Sequence, residues 1–283
     1  MISPVLSPVA ELADDRFARR GLRLFLKRDD LIHPELPGNK WRKLKHNLGP
    51  AREHGTVLTF GGAYSNHVRA TAVAGKIFGF ATIGVIRGEE HLPLNDSLAF
   101  AERMGMRLTY LDRASYRRKH EPGVIAALRR EWGGFYLLPE GGSNAAAVRG
   151  CAELGEEVPG YDVVCCPCGT GGTLAGLAAG LGPGQRALGF SVLKGGFMDG
   201  EVARLQHETY GERRGDWRVE DGFHFGGYAR TTPELDGFAD DFAARHGIVL
   251  DRIYTAKMMF GVLALADRGA FPDGTRVLAV ITG

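Results

Sequence analysis

Short apolar, β-branched segments alternate along this chain with segments of helical period, and glycine-rich joints separate them. The strand-like segments are TVLTF (56–60), ATIGVI (81–86), RLTYL (107–111), FYLLPE (135–140), YDVVCC (161–166), ALGFSVL (187–193), DRIYT (251–255) and RVLAVIT (276–282). Helical segments such as HVRATAVAGKIFG (67–79) and PELDGFADDFAARHG (233–247) lie between them. This alternation predicts an α/β fold in which open, mostly parallel sheets are flanked by helices.

The charge balance argues against nucleic acid as a partner. Of the 283 residues, 35 are Lys or Arg and 33 are Asp or Glu, so the net charge is +2 and no broad field attracts phosphate backbones. The first residues, MISPVLSPVAELADD, lack the basic and apolar regions of a signal peptide, and no apolar run reaches membrane-spanning length. We therefore expect a cytoplasmic protein with no membrane partner.

The cysteines predict neither disulfides nor a metal site. Three of the four crowd into CCPC (165–168), where adjacent bridging is geometrically poor, and the fourth is Cys151. Cys165 and Cys168 form a C-x-x-C pair, but no second pair or histidine cluster accompanies it. We expect these side chains to be small buried residues.

A glycine-rich joint in CGTGGTLAG (168–176) follows one strand and opens a helix, which makes it a candidate anion cradle. A dinucleotide-binding fingerprint would require a third glycine where Leu174 stands and an acid after the next strand, which reads ALGFSVLK. A nucleotide P-loop would require Gly-Lys-Ser/Thr, which is also missing. The pattern disfavours a nicotinamide oxidoreductase and leaves a site for one isolated phosphate.

Two further joints, GGAYSNH (61–67) and EGGSN (140–144), also open helices. Ser65 or Asn66 is a candidate helix N-cap. A serine-hydrolase elbow would place glycine two residues on either side of Ser65, where this chain has Ala63 and His67, so that interpretation is weak.

The segment LPGNKWRK (36–43) packs three basic residues into four positions, and a solvated basic surface is its default interpretation. Lys40, however, follows a Gly-Asn turn at the start of a helical stretch. The positive end of the helix dipole favours the neutral amine there, and burial would lower its pKa further. Such a lysine suits a Schiff base with an aldehyde cofactor. One phosphate cradle and one such lysine suggest pyridoxal 5′-phosphate (PLP).

At these residues the sequence resembles the fold-type II PLP enzymes, specifically the D-cysteine desulfhydrase / 1-aminocyclopropane-1-carboxylate (ACC) deaminase family. The resemblance covers nearly the whole chain and rests on motifs in the family's order: LKRDDL (26–31), GNKWRKL (38–44), SNHVR (65–69), CGTGGTLAGL (168–177), GGY (226–228), IYTAKMMFGV (253–262) and VITG (280–283). Each motif alone is short, but all of them in this order are specific.

The resemblance implies a set of site residues. Lys40 matches the Schiff-base lysine, Ser65 the active-site serine, and Tyr228 and Tyr254 two active-site tyrosines. The cofactor-binding residues would be Lys40, Asn39, Asn66 beside the ring, the phosphate loop Gly169, Thr170, Gly171, Gly172 and Thr173, and Thr255 and Thr282, the last facing the pyridine nitrogen. Arg42 and Lys43 keep the interpretation of helix-surface charges.

The resemblance also implies a tryptophan synthase β-like architecture with two α/β domains and the cofactor in the cleft between them. We expect residues 1–45 and 150–283 to form a larger PLP-binding domain and residues 46–149 a smaller inserted domain. The family's members further imply a homodimer.

Three departures from the family's pattern bear on the substrate. Tyr64 replaces the usual Gln on the substrate side of the ring, and Thr255 stands where ACC deaminases carry Glu. The chain is also shorter than usual and has one Gly where the family ends in two. Thr255 favours β-elimination from a small amino acid, D-cysteine first, to give pyruvate, sulfide and ammonia. ACC deamination and a non-catalytic PLP-binding protein remain as alternatives.

Overall fold

The computed structural model describes residues 6–33, 36 and 38–282, which contain ten strands. The strands are β1 (Val9–Leu12), β2 (Arg23–Arg28), β3 (Thr56–Gly61), β4 (Ala81–Arg87), β5 (Met106–Leu111), β6 (Tyr136–Leu138), β7 (Val163–Cys168), β8 (Arg186–Ser191), β9 (Asp216–Glu220) and β10 (Arg276–Ile281). Pro37 of the LPGNK turn and Gly283 of VITG lie outside the described residues. The expectation that this chain has one Gly where the family ends in two concerns Gly283, and so it also lies outside the described residues.

Twelve α-helices lie within the same described residues. They are α1 (Asp15–Ala18), α2 (Asn39–Lys45), α3 (Leu48–His54), α4 (Asn66–Phe78), α5 (Asp96–Arg103), α6 (Arg113–Arg117), α7 (Pro122–Trp132), α8 (Ala145–Glu156), α9 (Gly172–Gly180), α10 (Met198–Tyr210), α11 (Pro233–His246) and α12 (Thr255–Asp267). None of the helices in this part of the chain is both long enough and apolar enough to cross a membrane.

The strands form two sheets. The larger has the order β1-β2-β10-β7-β8-β9, parallel throughout except that β1 runs antiparallel to β2. The smaller has the order β5-β4-β3-β6 and is entirely parallel. The expected fold class, two mostly parallel sheets with flanking helices, is confirmed. The domain bounds at 45/46 and 149/150 stay a prediction.

Both faces of the larger sheet are buried, as the continuous apolar runs of its strands require. Along β10, Val277, Ala279 and Ile281 pack on the side of α11 and α12, whereas Leu278 and Val280 pack on the side of α9 and α10. The four cysteines are buried free thiols, three of them on β7 and Cys151 on α8.

One expected strand is wrong, and three strands were not anticipated. DRIYT (251–255) forms a turn into α12, because the Asp251 carboxylate accepts hydrogen bonds from the backbone N–H groups of Ile253, Tyr254 and Thr255. This local capping outweighs a short β-like pattern. The unanticipated strands are β1, β2 and β9.

The carboxyl ends of three strands meet at the cleft between the sheets. β3 leads into the loop that starts α4, β7 leads into the glycine loop that starts α9, and β10 ends beside Thr282. Ligands of open α/β sheets bind at such edges, so the topology itself locates the candidate site.

Candidate active site

A cavity of about 360 Å³ lies where these strand ends meet. It is lined by Asn39, Lys40, Lys43, Gly62, Ser65, Asn66, His67, Arg87, Glu140, Gly141, Pro167, Cys168, Gly169, Thr170, Gly171, Thr173, Leu193, Tyr228, Tyr254 and Thr282. The structure therefore brings together every site residue expected from the sequence except Gly172 and Thr255. No group of side chains suited to hold a metal ion occurs in the part of the chain that the structure describes.

Lys40 is the second residue of α2 and points to the cavity from a tightly packed turn. Gly38, which precedes the helix, has φ +65°. A Cβ atom on Gly38 would lie 1.2 Å from the Thr282 carbonyl oxygen, so only glycine allows the turn to pass this close to the end of β10. Lys40 Nζ donates to Asn39 Oδ1 at 2.7 Å, and Asn39 Nδ2 donates to Thr173 Oγ1 at 2.9 Å. Asn39 thus links the lysine to the glycine loop.

The environment of Lys40 favours its neutral amine. Burial and the neighbouring Lys43 ammonium lower its pKa to about 7, although Asp251 acts in the opposite direction. The position of Lys40 at a helix start, together with burial, predicted this direction from the sequence, and in the folded chain burial is the main cause. An amine that is half neutral near pH 7 can serve as a nucleophile and as a base.

The glycine loop forms an open anion cradle at the start of α9. Gly171 adopts φ +74°, and no side chain caps the helix, so the first N–H groups remain available. The loop is also closely packed: a Cβ atom on Gly169 would lie 3.1 Å from the Tyr254 ring, and one on Gly171 would lie 3.1 Å from Val202. Thr170 and Thr173 add hydroxyl donors on the cavity wall.

Lys43 was expected to be a surface charge, but its side chain is buried and lines the cavity. Its Nζ donates to the Gly141 carbonyl and to Ser143 Oγ, each at 3.1 Å, and burial lowers its pKa. A Cβ atom on Gly172 would lie 3.3 Å from this nitrogen, so the ammonium stands beside the glycine loop. The signal for it was present in the sequence, since residues i and i+3 share a helix face and Lys43 follows Lys40 at that spacing.

Arg42 is also buried, which corrects the expectation of a surface charge. Its side chain is 1% exposed and binds both Asp29 oxygens, at 2.6 and 2.9 Å, and both Glu157 oxygens, at 2.7 and 2.8 Å. Two bidentate carboxylates match the planar fork of the guanidinium. They fix α2, and with it Lys40, against the turn after β2 and the end of α8.

On the smaller sheet's side, the loop after β3 contributes three consecutive residues. Ser65 caps α4, with its Oγ accepting from the Val68 N–H at 3.3 Å, and Asn66 opens the helix. His67 shares a hydrogen bond of 2.8 Å between Nε2 and Thr59 Oγ1, while its buried Nδ1 has no hydrogen-bond partner. Burial, together with Lys40 and Lys43, holds the His67 pKa well below its usual value. The imidazole is therefore neutral.

Tyr228 and Tyr254 face each other across the opposite side of the cavity, with ring centroids 6.0 Å apart and an interplanar angle of 67°. Burial and the neighbouring Tyr228 raise the pKa of Tyr254. Tyr254 therefore stays protonated and is a hydroxyl donor.

Two residues that differ from the family pattern are placed away from the cavity. Thr255 donates its hydroxyl to Asp251 Oδ2 at 2.6 Å and does not line the cavity wall. Tyr64 is 67% exposed and also lies outside it. Glu140, which the sequence analysis did not single out, does line the cavity, where it accepts a hydrogen bond of 2.9 Å from the Tyr116 hydroxyl.

These residues fit the cofactor that the resemblance implies. An uncapped helix start with glycine positions suits one phosphate, a lysine amine of lowered pKa suits an aldehyde, and Thr282 supplies a hydroxyl on the same wall as the Gly38 turn. The roles of the individual residues remain predictions.

Comparison with known proteins agrees with this fit. The sequence model of the family described as "Pyridoxal-phosphate dependent enzyme" matches residues 8–283. A Pyrococcus furiosus protein provisionally named a 1-aminocyclopropane-1-carboxylate deaminase is 31% identical, over 93% of this chain and 85% of its own length. A D-cysteine desulfhydrase of Yersinia enterocolitica is 29% identical over 93% of this chain and 87% of that protein.

An Arabidopsis thaliana protein named for both activities, bifunctional D-cysteine desulfhydrase / ACC deaminase, is 28% identical over 93% of this chain and 72% of its own. Among solved structures, one described as an ACC deaminase homologue superposes with a TM-score of 0.84 at 29% identity, covering 99% of this chain and 90% of that one.

Proposed function

The chain belongs to the family of pyridoxal-phosphate-dependent enzymes, and we propose that it acts as a lyase that eliminates the β-substituent of a small amino acid, D-cysteine first. The products from D-cysteine are pyruvate, sulfide and ammonia. The observation that carries the proposal is the Lys40 amine, with a pKa of about 7, joined through Asn39 to an anion cradle.

We assign the cofactor to residues on the wall formed by the larger sheet. Lys40 would hold its aldehyde carbon, the N–H groups of Gly169–Thr173 would hold its phosphate with Lys43 as a neighbouring cation, and Thr282 would offer its hydroxyl to the ring nitrogen. When bound, PLP supplies an electron sink conjugated to the substrate's α-carbon. A hydroxyl at the ring nitrogen holds the proton there less firmly than a carboxylate, and this weaker sink favours elimination.

The remaining roles fall to the chain's own side chains. The neutral Lys40 amine accepts the α-proton. Ser65, which caps the 13-residue helix α4, would bind the substrate carboxylate or assist proton transfer, and Asn66, the first residue of the helix, would lie beside the cofactor ring. Tyr254 or Tyr228 donates a proton to the leaving thiolate, a role for which a protonated hydroxyl is required.

ACC deamination is the second candidate, because relatives of comparable similarity carry both names. ACC has no α-proton and no leaving group on its β-carbon, so its ring opening depends more strongly on the electron sink. Thr255, which stands where ACC deaminases carry Glu, lies outside the cavity with its hydroxyl bound to Asp251, and Thr282 on the cavity wall offers only a hydroxyl. The position of Tyr64 outside the cavity speaks against a pocket closed to substrate, and so against a non-catalytic protein.

The test is keto-acid release from D-cysteine, L-cysteine, ACC and D-serine by one preparation, with Thr255→Glu alongside. We expect the highest kcat/KM on D-cysteine, and a shift of the D-cysteine/ACC ratio towards ACC in Thr255→Glu. Higher efficiency on ACC in the parent protein would reverse the order of the two candidates. A PLP-loaded protein that turns over none of the four substrates would contradict the proposed activity.

Two statements about the whole protein also stay proposals. A homodimer follows from the family resemblance and is tested by sedimentation of the purified chain. A cytoplasmic location is likewise a proposal, and fractionation of the source cells tests it.

A further inference from the structure

Lys257 is a fully buried lysine that none of the roles above uses. It lies on α12 with 0% of its surface exposed. Its Nζ donates to the carbonyl oxygens of His224, at 2.9 Å, and Gly227, at 2.8 Å. No carboxylate of the described residues forms a salt bridge with it, although Asp251 stands close enough to oppose the lowering of its pKa by burial.

The two carbonyls belong to the loop that carries Tyr228, and this loop has a strained backbone. Phe225 and Ala229 adopt φ of 50° and 55°, values that side chains other than glycine rarely take, and Gly226 and Gly227 between them have φ of 90° and 115°. Such conformations persist only where surrounding contacts hold them. Lys257 supplies two of those contacts, one of them immediately before Tyr228.

The same helix organises the other tyrosine. Tyr254 directly precedes α12, whose first turn is capped by Asp251, and the Phe225 ring packs edge-on against Phe260 of α12 at 5.0 Å. The start of α12 therefore fixes Tyr254 through its backbone, and Lys257 and Phe260, in the first two turns of the helix, contact the loop of Tyr228. The relative orientation of the Tyr228 and Tyr254 rings therefore depends on both sets of contacts with α12.

A buried ammonium without a carboxylate partner is a costly way to stabilise a fold, since an apolar side chain of the same length would pack without desolvation. The hydrogen bonds from Lys257 to two carbonyl oxygens of one loop indicate another role, which is to hold that loop in place. We propose that Lys257 is a positioning residue that clamps the His224–Gly227 segment onto α12 and so holds Tyr228 against Tyr254 at the cavity. The clamp itself is a structural claim, whereas its effect on turnover rests on the role proposed for Tyr228.

The clamp is tested by hydrogen exchange in PLP-loaded Lys257→Met, which keeps the length of the side chain and removes its donors. We expect the amides of residues 225–230 to exchange at least about tenfold faster, while those of α9 keep their rate. Lys76→Met, a lysine exposed on α4, is the control for loss of a positive charge. Unchanged exchange at 225–230 would overturn the clamp.

The effect on turnover is tested by a double-mutant cycle with Tyr228→Phe. Lys257→Met alone should lower kcat by between about 10-fold and 100-fold, as expected for a displaced catalytic group, with a smaller change in KM. In the Tyr228→Phe background, the same change should lower kcat less than about twofold. An equal loss in both backgrounds would mean that Lys257 acts elsewhere, and would overturn the positioning role.

Lys257→Gln keeps the test decisive if Lys257→Met does not fold. Its amide offers two N–H donors to the same carbonyls, so partial recovery of both slow exchange and kcat is expected. A folded Lys257→Gln protein with parental exchange but a kcat as low as that of Lys40→Ala would contradict positioning. Parental turnover in Tyr228→Phe would instead refute the role of Tyr228, while the exchange data decide the clamp separately.

Discussion

The two sides of the cavity are built differently. The side assigned to the cofactor is mostly backbone: a turn at Gly38 that touches the end of β10, and a loop whose glycines pack against Tyr254 and Val202. The side assigned to the substrate is mostly side chains on loops, such as Tyr228, which is 37% exposed. Backbone fixed by close packing tolerates little change, whereas side chains at a cavity mouth can be exchanged without altering the fold.

The relatives carry different activity names within one family, and we relate this to the contrast between the two sides. In the proposed assignment, the first side provides an amine and an anion site at a fixed separation. The second provides the contacts that separate one small amino acid from another. Substitutions on the first side should therefore abolish cofactor binding or the turnover of every substrate. Substitutions on the second side should change which substrates are turned over.

The largest effect is expected from Lys40→Ala. Removing the amine eliminates both the attachment point and the base, so turnover of every substrate should fall about 10⁴-fold. Lys45→Ala is the matched control, because this lysine lies on the same helix but pairs with Glu153 outside the cavity. Borohydride reduction and peptide mapping of the parent protein should place the pyridoxyl group on Lys40. A label on Lys43 or Lys45 would contradict the assignment.

Gly171→Val should weaken PLP binding by roughly 100-fold, or about 2.7 kcal/mol. Valine is strained at φ +74°, and its Cβ would crowd Val202 at 3.1 Å in the loop that must approach the phosphate. Gly200→Val, at an exposed position where an added Cβ meets no atom within 4 Å, is the control. The measurement is a PLP titration of each apoprotein with its melting temperature. Parental affinity in a folded Gly171→Val protein would place the phosphate elsewhere.

The pH dependence of PLP capture by the apoprotein should show a change of about tenfold between pH 6 and pH 8. Only the neutral amine attacks the aldehyde, and with a Lys40 pKa of about 7 its fraction rises across that interval and then levels off. Because this pKa is below that of an unfolded lysine, the unfolded chain binds more protons above pH 7. The contribution of Lys40 to apoprotein stability should therefore rise with pH from about 7 to the ordinary lysine value.

Stopped-flow absorbance measures the capture rate, and chemical denaturation at several pH values measures the stability. A capture rate that keeps rising up to pH 10 would show that Lys40 has an ordinary pKa. Burial on the side of the cavity assigned to the cofactor would then not lower the pKa of Lys40, and the two sides would no longer differ in this respect.

The smallest effect is expected from Tyr64→Gln, which restores the residue usual in the family. Tyr64 is 67% exposed and lies outside the cavity, so kcat/KM on D-cysteine should change by about twofold or less, the scale of a surface substitution of about 0.5 kcal/mol. Assays with D-cysteine and ACC measure it. A tenfold change in their ratio would mean that Tyr64 reaches the bound substrate, and would extend the substrate side of the cavity beyond the present wall.

Much of the site could be predicted from the sequence because the relevant signals are local. A glycine-rich joint between a strand and a helix specifies an anion cradle through its own backbone, and Gly-Asn-Lys at a helix start places the amine. Lys40, Ser65, Asn66 and the loop around Gly171 therefore line the cavity as expected. The parallel α/β class was equally readable, since the alternation of strand and helix patterns is itself a property of the sequence.

Signals that depend on distant partners were misread. Arg42 and Lys43 have the spacing of surface charges, but Arg42 meets Asp29, 13 residues before it, and Glu157, 115 residues after it. DRIYT was misread for a different, local reason, because the Asp251 carboxylate accepts hydrogen bonds from three following N–H groups and so forms a turn in place of a strand. The short edge strands β1 and β9 have too little alternation to predict without their neighbours.

The sequence by itself determined the fold class and the places of the glycine loop and Lys40 at the cavity, because backbone chemistry at glycine joints and helix starts acts over a few residues. Only the tertiary structure decided which charges are buried, and that the Lys257 amine bonds to the Gly227 carbonyl beside Tyr228. The physical reason is that solvation and hydrogen bonding of a side chain depend on groups brought beside it by packing, and those groups lie tens of residues away along the chain.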